Sequence, residues 1–244
     1  MPQHHFGKDY FEGSRSPYKS YLRKREKRRK EAKIYLKHLT KYKSHGRLLE
    51  VGCAYGFYLE VFKEKFEVFG MDISEHAIQQ ARRFLPEVRD HLIRQDCQKN
   101  WPYVDNYFDA VVAYSAIEYL EHPLNMIRET YRCLKPGGVF MFSMANPLYE
   151  ILPRLFPHLF LDIVLLKYRS ITNVNLYLKY SWELKPLLSD FLILEKIENP
   201  WIGKLKILER KFRLPIRKTI GKLPIFNSTL TWICSSKKTA RALK

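Results

Sequence analysis

The chain has 244 residues, 46% of them hydrophobic and 14% aromatic, and a net charge of +18. That is enough for one α/β domain with a full core, and short for two. No apolar run reaches the ~18 residues of a membrane-spanning helix, and the N-terminal MPQHHFGKDYFEG lacks the apolar centre of a secretory signal. The four cysteines, Cys53, Cys97, Cys133 and Cys234, match neither a CxxC pair nor a zinc pattern. A reducing, cytoplasmic compartment is therefore expected. The charge is unevenly spread: residues 1–46 carry +10, residues 47–199 carry −3 and residues 200–244 carry +11. Such basic flanks suit nucleic acid, an anionic membrane surface or an acidic substrate, or are simply solvated faces.

Taken in chain order, YLRKREKRRKEAKIYLKHL (21–39) reads as a helix with a strongly basic solvent face. RLLEVG (47–52) is a short apolar strand, and FYLEVFKEK (57–65) follows with helical spacing. EVFGMD (67–72) is a second strand ending on an acid; Ser74 then caps the helix SEHAIQQARRF. HLIRQD (91–96) and FDAVVAY (108–114) are the third and fourth strands, the latter apolar enough to be buried on both faces. The amphipathic PLNMIRETYRCL (123–134) is expected to stop at KPGG, before a fifth strand VFMFSMAN (139–146). WELKPLLS (182–189) reads as a helix, FLILEKIEN (191–199) as a strand and STLTWICSS (228–236) as the last strand. Alternating strands and helices predict a doubly wound parallel sheet. The expected organisation is one domain over 1–244. It has a basic N-terminal extension or lid (1–46), a core (47–146) and two insertions (147–181 and 200–227).

The turn after the first strand reads Glu50-x-Gly52-x-x-x-Gly56. It lacks the G-x-G-x-x-G spacing of a dinucleotide fingerprint, and no G-K-S/T follows to make a P-loop. An acid before the glycines repels phosphate and favours a ligand that is cationic and phosphate-free. S-adenosylmethionine, with its sulfonium, ammonium and ribose diol, has that chemistry. Gly52 and Gly56 allow close backbone approach. Asp72, ending the second strand, can accept from ribose hydroxyls, and Asp96, after the third, from an adenine amino group.

RLLEVGCAYGFYLEVF, EVFGMDISEHAIQQAR, LIRQDCQKNWPYVDNYFDAVVAYSAIEYLEHP and NMIRETYRCLKPGGVFMFSMANP together resemble successive motifs of class I S-adenosylmethionine-dependent methyltransferases. The likeness is nearest to the small-molecule enzymes of the ubiquinone/menaquinone-biosynthesis type. It covers residues 45–147 closely, the final strands loosely, and the insertions not at all. It implies a seven-stranded, mostly parallel sheet with an antiparallel last strand. It also implies that Glu50, Gly52 and Gly56 frame the methionine end of the cofactor, lined by Cys53 and Phe57. Asp72 would bind ribose, with Ile73 against adenine; Asp96 and the Cys97 backbone would hold the adenine edge, and the Ser115 backbone would lie near the ammonium. Ala54 departs from the family, which has a third glycine there. Tyr10, Phe11, Tyr18 and Tyr21 would either form a lid over the cofactor or pack the first helix onto the domain.

For an oxygen acceptor, Glu118, His122 and His158 are the candidate bases. SAIE stands where an amino-methylating enzyme carries [N/D]-P-P-[Y/F], no proline-cysteine nucleophile is present, and no acid cluster suits a metal. Both insertions should border the acceptor. One is apolar and aromatic and the other adds a basic rim, as suits a small or lipid-like acceptor methylated on oxygen and peripheral contact with an anionic membrane. The alternatives are an RNA or protein methyltransferase using its basic flanks, and a non-catalytic binding protein on the same fold.

Overall fold

The computed structural model describes residues 6–13, 20–145, 186–200 and 227–238. The described elements are helices α1 (Lys8–Glu12) and α2 (Arg25–Leu39), then strand β1 (Arg47–Val51), α3 (Leu59–Phe62), β2 (Glu67–Asp72), α4 (Glu75–Phe84), β3 (Leu92–Arg94), β4 (Phe108–Tyr114), α5 (Leu124–Cys133), β5 (Leu134–Ala145), β6 (Phe191–Pro200) and β7 (Asn227–Ser236). Seven strands form one sheet in the order β3-β2-β1-β4-β5-β7-β6. Strands β1 to β5 pair in parallel, and β7 runs antiparallel between β5 and β6. The strand order reverses between β1 and β4. Crossovers running outward in opposite directions from that point place their helices on opposite faces, and a crevice opens there at the carboxyl ends of the strands.

The side-chain alternation of the strands matches this double covering. Leu49 and Val51 of β1, Val111 and Ala113 of β4, and Phe140 and Phe142 of β5 meet Met126, Ile127 and Cys133 of α5 on one face. Leu48, Ala110, Val112, Val139 and Met141 meet α2, α3 and α4 on the other, through Ala32, Leu36, Leu39, Phe62, Ile78 and Ala81. A third, aromatic cluster joins Tyr10, Phe11 and Tyr21 of the N-terminal segment to Tyr55 and Phe57 of the glycine turn.

Several boundaries differ from the sequence reading. Residues 22–24 form a 3-10 turn, and the regular helix starts at Arg25. The helix expected over 57–65 is regular only at Leu59–Phe62. The third strand ends at Arg94 rather than 96, because Asp96 Oδ1 accepts from the Gln98 amide at 2.9 Å and bends the chain into a turn. KPGG does not stop α5. The helix ends at Cys133 because Leu134 already pairs with Phe108 across the sheet. Residues 135–138 are then an excursion from β5, with Gly137 at φ +66° and Lys135 Nζ 2.7 Å from Asp109 Oδ2. Ser74 caps α4 as expected, accepting from the Ala77 amide at 3.1 Å. Of the helix expected over 182–189, residues 182–185 lie outside the described residues, and 186–187 are helical.

Candidate active site

A cleft lies at the carboxyl ends of β1, β2, β3 and β4, bounded by the turns that follow them and by the N-terminal segment. Its empty space is about 930 Å³, the open mouth included.

Its floor is the glycine turn. Gly52 and Gly56 both sit at φ +74°, a region that favours glycine, and the Gly52 and Cys53 amides donate to the Met71 carbonyl at 2.8 and 3.0 Å. Two non-glycine residues of the cleft share this left-handed conformation, Ala54 at φ 48° and Ser115 at φ 50°. Such strain persists where the surrounding structure holds it. Asp72 holds Ala54: its Oδ2 accepts from the Ala54 amide at 2.9 Å, while its Oδ1 accepts from the Ser74 amide at 2.9 Å. The Ser115 amide donates to the Ser143 carbonyl and hydroxyl, each at 3.2 Å.

Glu50 is the unusual group. It is 1% exposed, it lines the cleft, and among the described residues its Oε2 has no hydrogen-bond donor. Burial, reinforced by the nearby Asp72 carboxylate, holds its pKa well above the ordinary carboxylate range, and the charge of Arg28 works against that rise. The pKa of Asp72 is also raised by burial, with the Ser74 and Ala54 amides pulling it back. A buried carboxyl oxygen without a donor costs on the order of 1–3 kcal/mol or more. Its place in a cleft suits a ligand that brings the missing donor.

Of the residues singled out from sequence, Glu50, Gly52, Cys53, Asp72, Ile73, Asp96, Cys97, Ser115 and Tyr10 line the cleft together. Gly56 and Phe57 do not. Gly56 packs beneath the turn, where an added Cβ would lie 2.8 Å from Leu85 Cδ1, and Phe57 is buried in the aromatic cluster, stacked on Tyr21. Tyr18 and His158 lie outside the described residues, as does most of both insertions. Glu118 is buried in the 3-10 turn Ile117–Tyr119 and does not line the cleft. The His122 side chain is 86% exposed. Of the three candidate bases, the two described ones, Glu118 and His122, do not line the cleft. The thiols at the site are kept protonated: burial raises Cys53 well above the ordinary range and Cys97 to about 12. Among the described residues, no group of three or more His, Cys, Asp or Glu side chains could hold a metal ion.

The N-terminal segment lies over the cleft, which Phe6, Tyr10, Phe11 and Tyr21 line. Tyr10 Oη donates to Tyr119 Oη at 3.0 Å, and the Phe6 ring stands edge-on to both tyrosines. Tyr55, inside the glycine turn, donates to Glu12 of α1 at 2.7 Å and lies 2.9 Å from His76 Nε2. The overlying segment is thus bonded to the turn it covers.

Sequence reasoning missed Arg28, Tyr58, Gln95, Gln98, Tyr114, Tyr119 and Leu120, all of which line the cleft. Arg28 had a readable signal. It falls in register with Ala32, Tyr35 and Leu39, the buried stripe of α2, so it belongs to the inward face and not the basic one. There its Nη1 donates to Glu31 Oε2 at 3.1 Å and to Tyr58 Oη at 3.0 Å. Tyr114 closes β4, stacked on Tyr35 at 4.3 Å.

Comparison with known proteins accords with this geometry. Residues 49–142 match the methyltransferase domain family. A ubiquinone biosynthesis O-methyltransferase of Alkalilimnicola ehrlichii is 33% identical over 107 residues, which are 41% of this chain and 42% of that protein. A fatty-acid O-methyltransferase of Mycolicibacterium smegmatis is 30% identical over 108 residues, 43% of this chain and 39% of that one. The chain thus spans about two fifths of the length of these curated relatives. An S-adenosylmethionine-dependent methyltransferase from Mesorhizobium loti shares the fold, with a TM-score of 0.60 at 17% identity over 83% of this chain and 96% of that one. With its strand order, its acid-then-glycine turn and the family match lying on the same residues, the chain carries over residues 49–142 a methyltransferase domain of class I, whose cofactor is S-adenosylmethionine.

Proposed function

We propose that the protein is a methyltransferase that moves a methyl group from S-adenosylmethionine to the oxygen of a small or lipid-like acceptor. The observation that carries this reading is the mixed lining of the cleft: Glu50, Asp72, Gln95, Asp96 and Gln98 supply a polar and acidic half of its residues, and Phe6, Tyr10, Phe11, Tyr119 and Leu120 an apolar and aromatic one.

The bound cofactor supplies an electrophilic methyl on a sulfonium, whose departure as a neutral thioether needs no acid. The polar half fits it. Glu50 Oε2, buried and without a donor, is the acceptor an ammonium would satisfy. Arg28 offers a cation to its carboxylate. Each Asp72 oxygen uses one lone pair on a backbone amide and keeps capacity for a ribose hydroxyl. Asp96 and the Cys97 backbone would hold the adenine edge, in a turn that also brings Gln98 to the cleft. The chain's remaining tasks are to align the acceptor and exclude water. The N-terminal aromatics do the second, and the Tyr10–Tyr119 hydroxyl pair is the polar feature of the apolar half that orients an acceptor oxygen. Glu118 and His122 are not retained as bases in this reading.

The test is methyl transfer from radiolabelled cofactor into a panel of long-chain carboxylic acids, prenylated phenols, total RNA and protein. Label in the organic extract, stable to acid and lost on ester or aryl-ether cleavage, supports the reading. Label confined to RNA or protein contradicts it.

A further inference from the structure

The outer face of α2 takes no part in the site. Lys27, Lys30, Lys33, Ile34 and Lys37 recur at helical spacing on the side opposite the buried Ala32, Leu36 and Leu39, and all five are exposed. Exposed Arg23 precedes this row and exposed Lys41 follows it. The one acid among them, Glu26, is engaged by Arg29 at 3.1 Å. Among the described residues Lys30, Lys33 and Lys37 form no ion pair. Within this basic row sits Ile34, 57% exposed, and at the start of the segment is Leu22, 43% exposed. The helix is about 22 Å long at ~1.5 Å per residue. Its leading end adjoins the cleft, which both Tyr21 and Arg28 line.

We infer that this face docks the protein on an anionic phospholipid membrane. A straight row of lysines on one helix face presents its charge to a plane. Two bulky aliphatic side chains left in water beside it are the anchors an interfacial helix uses, with the lysine stems reaching out to the headgroups. A single-stranded nucleic acid would be met instead by exposed rings for base stacking. No aromatic side chain is exposed on α2; Tyr42, beyond its end and 39% exposed, is bonded to Glu195. Docking deepens the proposed function and rests on it only for its purpose, which is to bring the cleft mouth to a bilayer holding the acceptor.

The experiment is co-sedimentation of the full chain with phosphatidylcholine vesicles, with and without phosphatidylserine, across a salt series, set beside binding to total RNA. Association is expected with the phosphatidylserine vesicles, and it should weaken as salt rises. A triple variant, K30A/K33A/K37A, should lose about 100-fold in partitioning, at roughly fivefold per lysine near the surface. Ile34→Ser should also weaken vesicle association while leaving any RNA binding unchanged. Circular dichroism and calorimetric cofactor binding on the same samples establish that the variants fold, and keep a failure of docking distinct from a failure of the methyltransferase reading. Equal binding to both vesicle types, undiminished binding by the triple variant, or RNA binding without vesicle association would each overturn the inference.

Discussion

Glu50 carries a burial cost that a bound cation would offset. Its folded-state pKa lies well above the ordinary 4.5. The folded protein therefore binds a proton that the unfolded chain has already lost in that pH window, and stability falls as pH rises through it. Glu50→Gln removes this penalty, so the ligand-free variant should be more stable at neutral pH, by about 1 kcal/mol in denaturant unfolding. The same variant should bind S-adenosylmethionine roughly 10- to 100-fold more weakly, since a charge-assisted bond of ~1.5–3 kcal/mol is lost. In the wild type, affinity should rise with pH as Glu50 ionises, and the glutamine variant should lose that dependence. A less stable variant with unchanged affinity would remove Glu50 from the site. Gly56 has a different role in the same turn. An alanine there adopts φ +74° and brings its Cβ within 2.8 Å of Leu85. Gly56→Ala should cost about 1–3 kcal/mol in thermal or denaturant unfolding, and a stability equal to the wild type would contradict the packing described.

At the scale of elements, α2 is held to the sheet from two directions. Its inner face buries Ala32, Leu36 and Leu39. Its far end is tied to the edge strand β6 by Glu195, whose carboxylate accepts from His38 at 2.9 Å, Tyr42 at 3.1 Å and Lys41 at 3.3 Å. Opposed by partial burial, these donors still hold the Glu195 pKa below its ordinary value. The contribution is therefore present above the unfolded pKa and lost as pH falls through the folded one. Glu195→Gln should lower stability by about 1 kcal/mol at neutral pH, with the difference from wild type shrinking between neutral and acid pH as Glu195 takes up its proton. A constant difference across that range would show that charge plays no part.

Over the whole molecule, the parallel sheet was legible because its signals are local. Strands of five to seven mostly apolar residues stood out, two of them running into Gly52 and Asp72, and Ser74 marked the start of its helix. The polar half of the cleft was legible for the same reason: Glu50, Asp72 and Asp96 end strands or begin the turns that follow them, and topology brings such turns together. Of the apolar half, Tyr10, Phe11 and Tyr21 stood out as clustered N-terminal aromatics, but the rest did not. Phe6, Tyr58, Tyr114 and Tyr119 come from four separate places and converge through tertiary packing. KPGG misled because glycines that end a helix and glycines that let a strand bulge look alike in sequence. Where Glu118 and His122 stand was not legible from their spacing, because Glu118 lies in the 3-10 turn Ile117–Tyr119 and His122 beyond its end, so tertiary packing alone sets their places. The central claim is that the acid-then-glycine turn holds a cationic sulfur cofactor. It is tested most directly by calorimetric titration of the purified protein with S-adenosylmethionine, NADH and ATP. Saturable one-to-one binding of S-adenosylmethionine, weakened at least tenfold in Glu50→Gln and absent for the two phosphorylated ligands, is the predicted result. Binding of NADH or ATP with none of S-adenosylmethionine would contradict the account.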